Sequence, residues 1–462
     1  MGLAMNGFLS LTTAAFALLL TSAVGAAPAT KAVPASLLVH EWGTFTSFQD
    51  HNGKSIGGIN VDDEPVPGFV HRIDELPVLS QNSLPASSSS KGAPSCHPDA
   101  TLRLETPVVY FYPRPGFDAQ EPIDVRAEFS GGWLTEFYPN AKSTVPGFPK
   151  LLEPTDKGSL QWRGLRLIAH PTAPLPETSD QVWLAPRKVR STVVATDDER
   201  EKYLFYRGVG NRDAPIVVRR EDDRLTIMRR DGEKTLTRLP LMWLVQVQSD
   251  GRVWYRTVSG QGNKEAVSVL GRGDEAGDLP GLRKRLTAAL VAHGLFTDEA
   301  RAMLETWQQS YFGSEGVRLF YLLPQAWTEA NLPLTLSIHA DKVRVMMGRI
   351  ELISAHQREA LEQLYDLPES AVTAAPLSQA DSLIASRLHL SQVDAFRKAG
   401  REVPEALRLY DGLGRFRDAL LVHEWRSTSD PVRRSRIETV MRQFGSCSAA
   451  ILHPEVNGEW SE

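Results

Sequence analysis

The feature that most constrains the fold is a change of periodicity near residue 271. Before it, short β-propensive runs recur at brief intervals, each closed by Pro, Gly, Asp or Ser. After it, apolar residues return every three to four positions between capping residues. Strand side chains alternate in period two and helical ones in period 3.6, so the switch predicts two structural regimes in one chain.

In the first regime, residues 37–48 read as a strand with Leu38, His40, Trp42, Thr44 and Thr46 on one face. Leu37, Val39, Glu41, Gly43 and Phe45 take the other. Residues 102–112 read as a second strand, which Pro107 demotes to an edge or bulged position. Residues 125–129 and 133–138 read as a hairpin across Ser130-Gly131-Gly132. Residues 87–92 form a low-complexity, mobile excursion, and further strands are expected at 160–168, 181–184, 189–195, 202–206, 216–220, 225–229, 241–248 and 252–259. Many short strands with this punctuation predict a sandwich or a barrel.

In the second regime, Leu282, Leu286 and Leu290 share one helix face, and Ala300, Met303, Leu304 and Trp307 share another. Ser354 with Gln357 forms a capping box, Ser391 with Asp394 repeats the pattern, and Asp430-Pro431 opens a further helix. A short strand pair is expected between, from 317–323 with 334–338 or 343–353. The fold class is therefore α+β: a β-sandwich-like part, 37–271, packed on a mainly helical part, 281–462.

Residues 1–26 read as a signal peptide, with an apolar run from Phe8 to Val24 and small residues Val24-Gly25-Ala26 at the cleavage position. That places the mature chain in the periplasm or outside the cell. No later segment reaches the length of a membrane helix. The net charge of −5 gives no electrostatic reason to expect a nucleic acid partner.

Cys96 and Cys447 are the whole thiol inventory. In an oxidising compartment such a pair is read as a disulfide. By the chain-entropy argument, closing a loop of about 350 residues is worth at most roughly 5–6 kcal/mol. Unpaired thiols, or a zinc site drawing on His97 and His453, are the alternatives.

Familiar catalytic strings are missing: His40-Glu41 and His423-Glu424 are not continued to H-E-x-x-H, and there is no P-loop, Rossmann glycine pattern or G-x-S-x-G elbow. Two constellations remain. His40, Glu105 and Glu136 offer an imidazole and carboxylates for acid–base or metal chemistry, although neighbours His40 and Glu41 point to opposite faces. Trp42, Trp133 and Tyr138 offer rings able to stack on sugars. Each has a plainer reading, as an ion pair of Glu105 with Arg103 or Arg126, or as core aromatics. No cofactor is indicated and the metal content is open.

The blocks His40-Glu41-Trp42-Gly43-Thr44-Phe45, Arg103-Leu104-Glu105-Thr106-Pro107-Val108, Glu136-Phe137-Tyr138-Pro139, Tyr203-Leu204-Phe205-Tyr206-Arg207-Gly208 and Gly348-Arg349-Ile350-Glu351 resemble those of a family of exported bacterial proteins of unknown function. The resemblance spans most of the mature chain and implies one large exported unit, with no activity to carry over. The expected function is extracytoplasmic binding of a glycan or envelope polymer. A hydrolase using His40 with Glu105 or Glu136, and a structural envelope component, are the rivals.

Overall fold

Strand Leu37–Gln49 is the spine of the protein. In the computed structural model it pairs in parallel with Asp341–Leu352 on one side and antiparallel with Leu102–Pro113 on the other. The structure describes residues 35–61, 64–76, 89–260, 262–268, 278–372 and 391–447. The leader, Asp62, Asp63 and His453 lie outside them. No helix among the described residues is long and apolar enough to cross a membrane.

The spine sits inside a nine-stranded sheet. Met242–Val247, Val253–Val258 and Gly316–Leu322 complete the side beyond Asp341–Leu352, and Leu204–Gly210, Gly132–Tyr138 and His71–Arg72 complete the side beyond Leu102–Pro113. A six-stranded sheet built around Ile123–Ser130 and Lys157–Ile168 lies against one face. Leu37, Val39 and Phe45 meet Val125, Phe129, Leu160 and Trp162 there, a sandwich core made by alternate residues. The opposite face carries Trp42, Val108 and Tyr110 and is covered by helices Gln181–Arg187, Leu279–Ala292 and Thr297–Thr306. The alternation expected for 37–48 is therefore the one observed.

A third core joins Phe48, Ile56 and Ile59 to helices Ala355–Asp366, Glu405–Gly412, Arg417–Ser427 and Pro431–Phe444. The caps match their signatures: Ser354 accepts from the Gln357 N–H, Ser391 from Asp394 and Asp430 from Val432. Strands are mainly N-terminal and helices C-terminal, as an α+β chain requires. The boundary expected near 271–281 nonetheless does not separate two sheets. Gly316–Leu322 and Asp341–Leu352 enter the middle of the nine-stranded sheet, and the chain from Ala35 onward is one compact unit.

Several local expectations change. Residues 125–129 and 133–138 are not a hairpin, because the first strand belongs to the six-stranded sheet and the second to the nine-stranded one. Gly131, at φ 74°, turns the corner between sheets, a left-handed conformation that glycine adopts at little cost. Residues 181–184 begin a helix, not a strand, since the Asp180 carboxylate caps the Val182 N–H. Of the stretch expected to be an excursion, residues 87 and 88 lie outside the described residues. From Ser89 the chain forms a buried two-strand hairpin, Ser89–Ser90 with Ala93–Pro94, which the Asn60 amide holds by donating to the carbonyls of Ser90, Ala93 and Pro94. Of the two positions expected for Pro107 the bulged one is found and the edge is not: it lies in an interior strand, where the register shifts beside it. Gly43 faces that bulge, where a Cβ would meet the Pro107 Cα at 3.0 Å.

Candidate functional site

Most of the distinctive sequence blocks deliver charged residues to the interior of the nine-stranded sheet. Because the side chains alternate, His40 lies on the helix-covered face and Glu41 on the sandwich face. Glu41 is buried with Arg344 and Tyr206, both of which donate to its carboxylate. His40 pairs its Nδ1 with Glu299 Oε2 at 2.8 Å. Glu299 also accepts from the Tyr112 hydroxyl at 2.7 Å and the Phe296 backbone N–H at 2.6 Å.

Glu105 is the meeting point of four elements. Arg103 donates to its Oε1 at 2.7 Å and Arg415 does so at 2.8 Å. Thr46 donates to Oε2 at 2.7 Å, and the Tyr311 hydroxyl donates to the same oxygen. A carboxylate has about four lone-pair sites, and here all of them are filled. Beside it, Glu351 accepts from Arg349 Nε at 2.6 Å and pairs with Arg318 at 3.3 Å. Burial alone raises the Glu351 carboxyl, but Arg318, Arg349 and Arg415 outweigh it and hold the group below its ordinary range. Burial lowers the Arg318 guanidinium to about 10 against the pull of Glu351. Burial, then Glu105 and Glu64, push the Tyr311 hydroxyl well above its ordinary value. Tyr311 is thus a fixed hydrogen-bond donor, with the Arg349 guanidinium 4.0 Å from its ring centre.

Glu136 is held separately, by Arg207 and by Arg72 at 3.5 Å. The expected combination of His40 with Glu105 or Glu136 is therefore not assembled. His40 sits opposite Tyr110, five residues along the neighbouring strand from Glu105, or roughly 16 Å at strand spacing. Two strand spacings separate the Glu105 and Glu136 strands, with Leu204–Gly210 between. The rings expected as a stacking surface are also inside: Trp42 and Trp133 are 0% exposed and Tyr138 is 3% exposed. They fill the cores because large rings on interior strands of a covered sheet have nowhere else to go.

Cys96 and Cys447 stand at bonding distance, their Cα atoms 6.1 Å apart. Asp418 lies beside them and completes a set of three candidate metal ligands. Its carboxylate already accepts from the Tyr410 hydroxyl, the Ser446 N–H and hydroxyl, and the Cys447 N–H. His97 turns elsewhere: Nδ1 accepts from the Asp99 N–H and Nε2 donates to the Lys150 carbonyl, each at 3.2 Å. The donor set suits a cystine better than zinc.

The opening nearest the Glu105 network is a cleft of about 450 Å³ between residues 309–316, the start of helix Ala355–Asp366 and residues 411–417. Its walls carry Gln309, Ser310, Ser314, Gln357, Asp411 and Arg417, and Arg415 links it to Glu105. All but the exposed Gln309 are held in place. Ser310 donates to Glu64, Ser314 to the Ser310 carbonyl at 2.6 Å, Gln357 to the Leu413 carbonyl at 2.6 Å, and Arg417 to Asp411 at 3.1 Å. Sequence reasoning missed Glu299, Tyr311, Arg415 and the cleft, because they join positions 206 to 310 residues distant from their partners.

Fold and site together define an α+β protein with a charge-lined sheet interior and a polar cleft at the sheet–helix junction. No family model matches the chain, and no curated protein sequence does. Among solved structures, the yeast delta-COP-I mu-homology domain aligns at 7% identity over 69% of this chain and 99% of that chain, with a TM-score of 0.24. So low a score carries no argument about fold or function.

Proposed function

We propose that this protein is an exported binding protein for a hydroxyl-rich polymer, a glycan of the envelope or its surroundings. It takes the ligand in the cleft of residues 309–316 and 411–417. The observation that carries the reading is the lining of that cleft: hydroxyl, amide, carboxylate and guanidinium groups, oriented by their own hydrogen bonds before any ligand arrives. Each retains further donor or acceptor capacity, and preorganised polar groups lose little freedom on binding. Recognition here is by hydrogen bonds and not by ring stacking, since Trp42, Trp133 and Tyr138 are core residues. The leader and the close cysteine pair support a periplasmic or secreted setting. The likeness of the five blocks to exported proteins agrees with it.

The test is calorimetric titration of the mature protein with a panel of neutral oligosaccharides, alongside Gln309→Ala and Arg417→Ala. Gln309 is exposed, so its loss spares the fold. Losing one hydrogen bond to the ligand lowers affinity by about tenfold, more where the donor is charged. A panel without a binder, or a binder indifferent to both substitutions, overturns the proposal.

A further inference from the structure

A second concavity, of about 660 Å³, shares no residue with the cleft. Lys54, Asn211, Arg212, Arg230, Asp231 and Lys234 are among the residues that line it. Two of its carboxylates are already engaged. Asp213 accepts from Ser55 at 2.6 Å and pairs with Arg230 at 3.3 Å, and Glu233 accepts from Thr235. The cations are less committed. Arg212 is anchored through Nε to Asn331 and through its backbone N–H to Thr101 at 2.9 Å, yet among the described residues its two terminal nitrogens meet no acceptor. Arg230, by contrast, is committed to the protein: Nε donates to the Ala214 carbonyl at 2.7 Å, Nη1 pairs with Asp213, and Nη2 is buried. Lys54 and Lys234 are exposed and their amines likewise have no protein partner among the described residues. Asp231, and Glu233 whose partner Thr235 is neutral, oppose them.

A protein of net charge −5 thus carries one excess positive charge in this groove, four cations against three carboxylates, with Lys54, Lys234 and the end of Arg212 free of acceptors among the described residues. Between the cations lie neutral hydroxyl and amide groups, Ser55, Thr101, Asn211 and Thr235. The Arg212 guanidinium, anchored at Nε with both terminal nitrogens to spare, suits planar carboxylate or sulfate oxygens, the two lysine amines add charge beside it, and the neutral groups suit sugar hydroxyls. We infer that this groove is a subsite for acidic saccharide units, independent of the cleft.

The test is titration of the mature protein with a galacturonate hexamer, a neutral maltohexaose and inorganic sulfate, at low and at high sodium chloride. The acidic hexamer should bind at least tenfold more tightly than either control and weaken as salt rises, because exposed charges are screened. Arg212→Gln should lower its affinity about tenfold or more. The double substitution Lys54→Gln with Lys234→Gln, at two exposed positions that leave the core intact, should do the same. Arg417→Ala in the cleft should leave this binding unchanged, which separates failure here from failure of the cleft. Equal affinity for acidic and neutral hexamers, sulfate binding as tightly as the hexamer, or indifference to the lysine pair overturns the inference.

Discussion

At the scale of single residues, the protein is organised by buried charge. Taking an ion pair out of water is costly, and the pair persists only when its remaining hydrogen bonds are also met. Glu105 shows the condition fulfilled, with two guanidinium groups and two hydroxyls on its two oxygens. Glu105→Gln removes the countercharge for Arg103 and Arg415 together, so it should cost about 3–5 kcal/mol in denaturant unfolding. Glu305→Gln, which breaks the exposed Lys188–Glu305 pair, should cost less than about 1 kcal/mol. Equal losses would mean that the Glu105 network does not hold the layers together. His97 makes a prediction about pH. Burial lowers its imidazole from 6.5 to about 4 while the Lys150 carbonyl opposes the shift. The unfolded chain therefore takes up a proton near pH 6.5 that the folded protein refuses until about pH 4, so stability falls as pH drops across that window and levels off below it. The drop amounts to roughly 3 kcal/mol from this residue. Stability curves of His97→Gln should be flatter by about that amount between pH 6.5 and 4, and an unchanged slope refutes the assignment.

At the scale of elements, local chemistry explains what was legible. Helices opened by Ser354, Ser391 and Asp430 begin where their caps require, since a cap is written within four residues. The opposite facing of His40 and Glu41 follows from alternation alone. Partners are another matter. The parallel pairing of Leu37–Gln49 with Asp341–Leu352, and the pairs His40–Glu299 and Glu105–Arg415, are contacts between distant segments that no local pattern encodes. The one hint was compositional: charged residues set inside β-propensive, otherwise apolar blocks, such as Arg103-Leu104-Glu105 and Arg349-Ile350-Glu351. Ser89–Ser90 shows the converse, a serine-rich string that reads as an excursion yet is buried because Asn60 satisfies its carbonyls. Asn60→Ala should take the side-chain amide from all three carbonyls, leaving Ala93 only the Ser89 hydroxyl, and cost about 1–3 kcal/mol. Limited proteolysis should then cut near residue 90 while the wild type resists there. Equal resistance of both would show that the amide is dispensable.

At the scale of the molecule, one sheet joins both halves of the chain, and the cysteine pair ties the loop before strand Leu102–Pro113 to the residues after helix Pro431–Phe444, 351 positions apart. A cross-link of that span restricts the unfolded chain strongly, by up to roughly 5–6 kcal/mol before native strain is counted. The protein should weigh about 2 Da less before reduction than after it, as loss of two thiol hydrogens requires. Cys96→Ser with Cys447→Ser should lower the melting temperature. Two free thiols in the untreated protein would remove this link. The account's central claim is that the cleft at the sheet–helix junction holds a hydroxyl-rich polymer. The most direct measurement is backbone amide hydrogen exchange of the mature protein with and without the tightest-binding oligosaccharide. Protection should rise in residues 309–316 and 411–417. Protection that rises only elsewhere, or nowhere, contradicts the account.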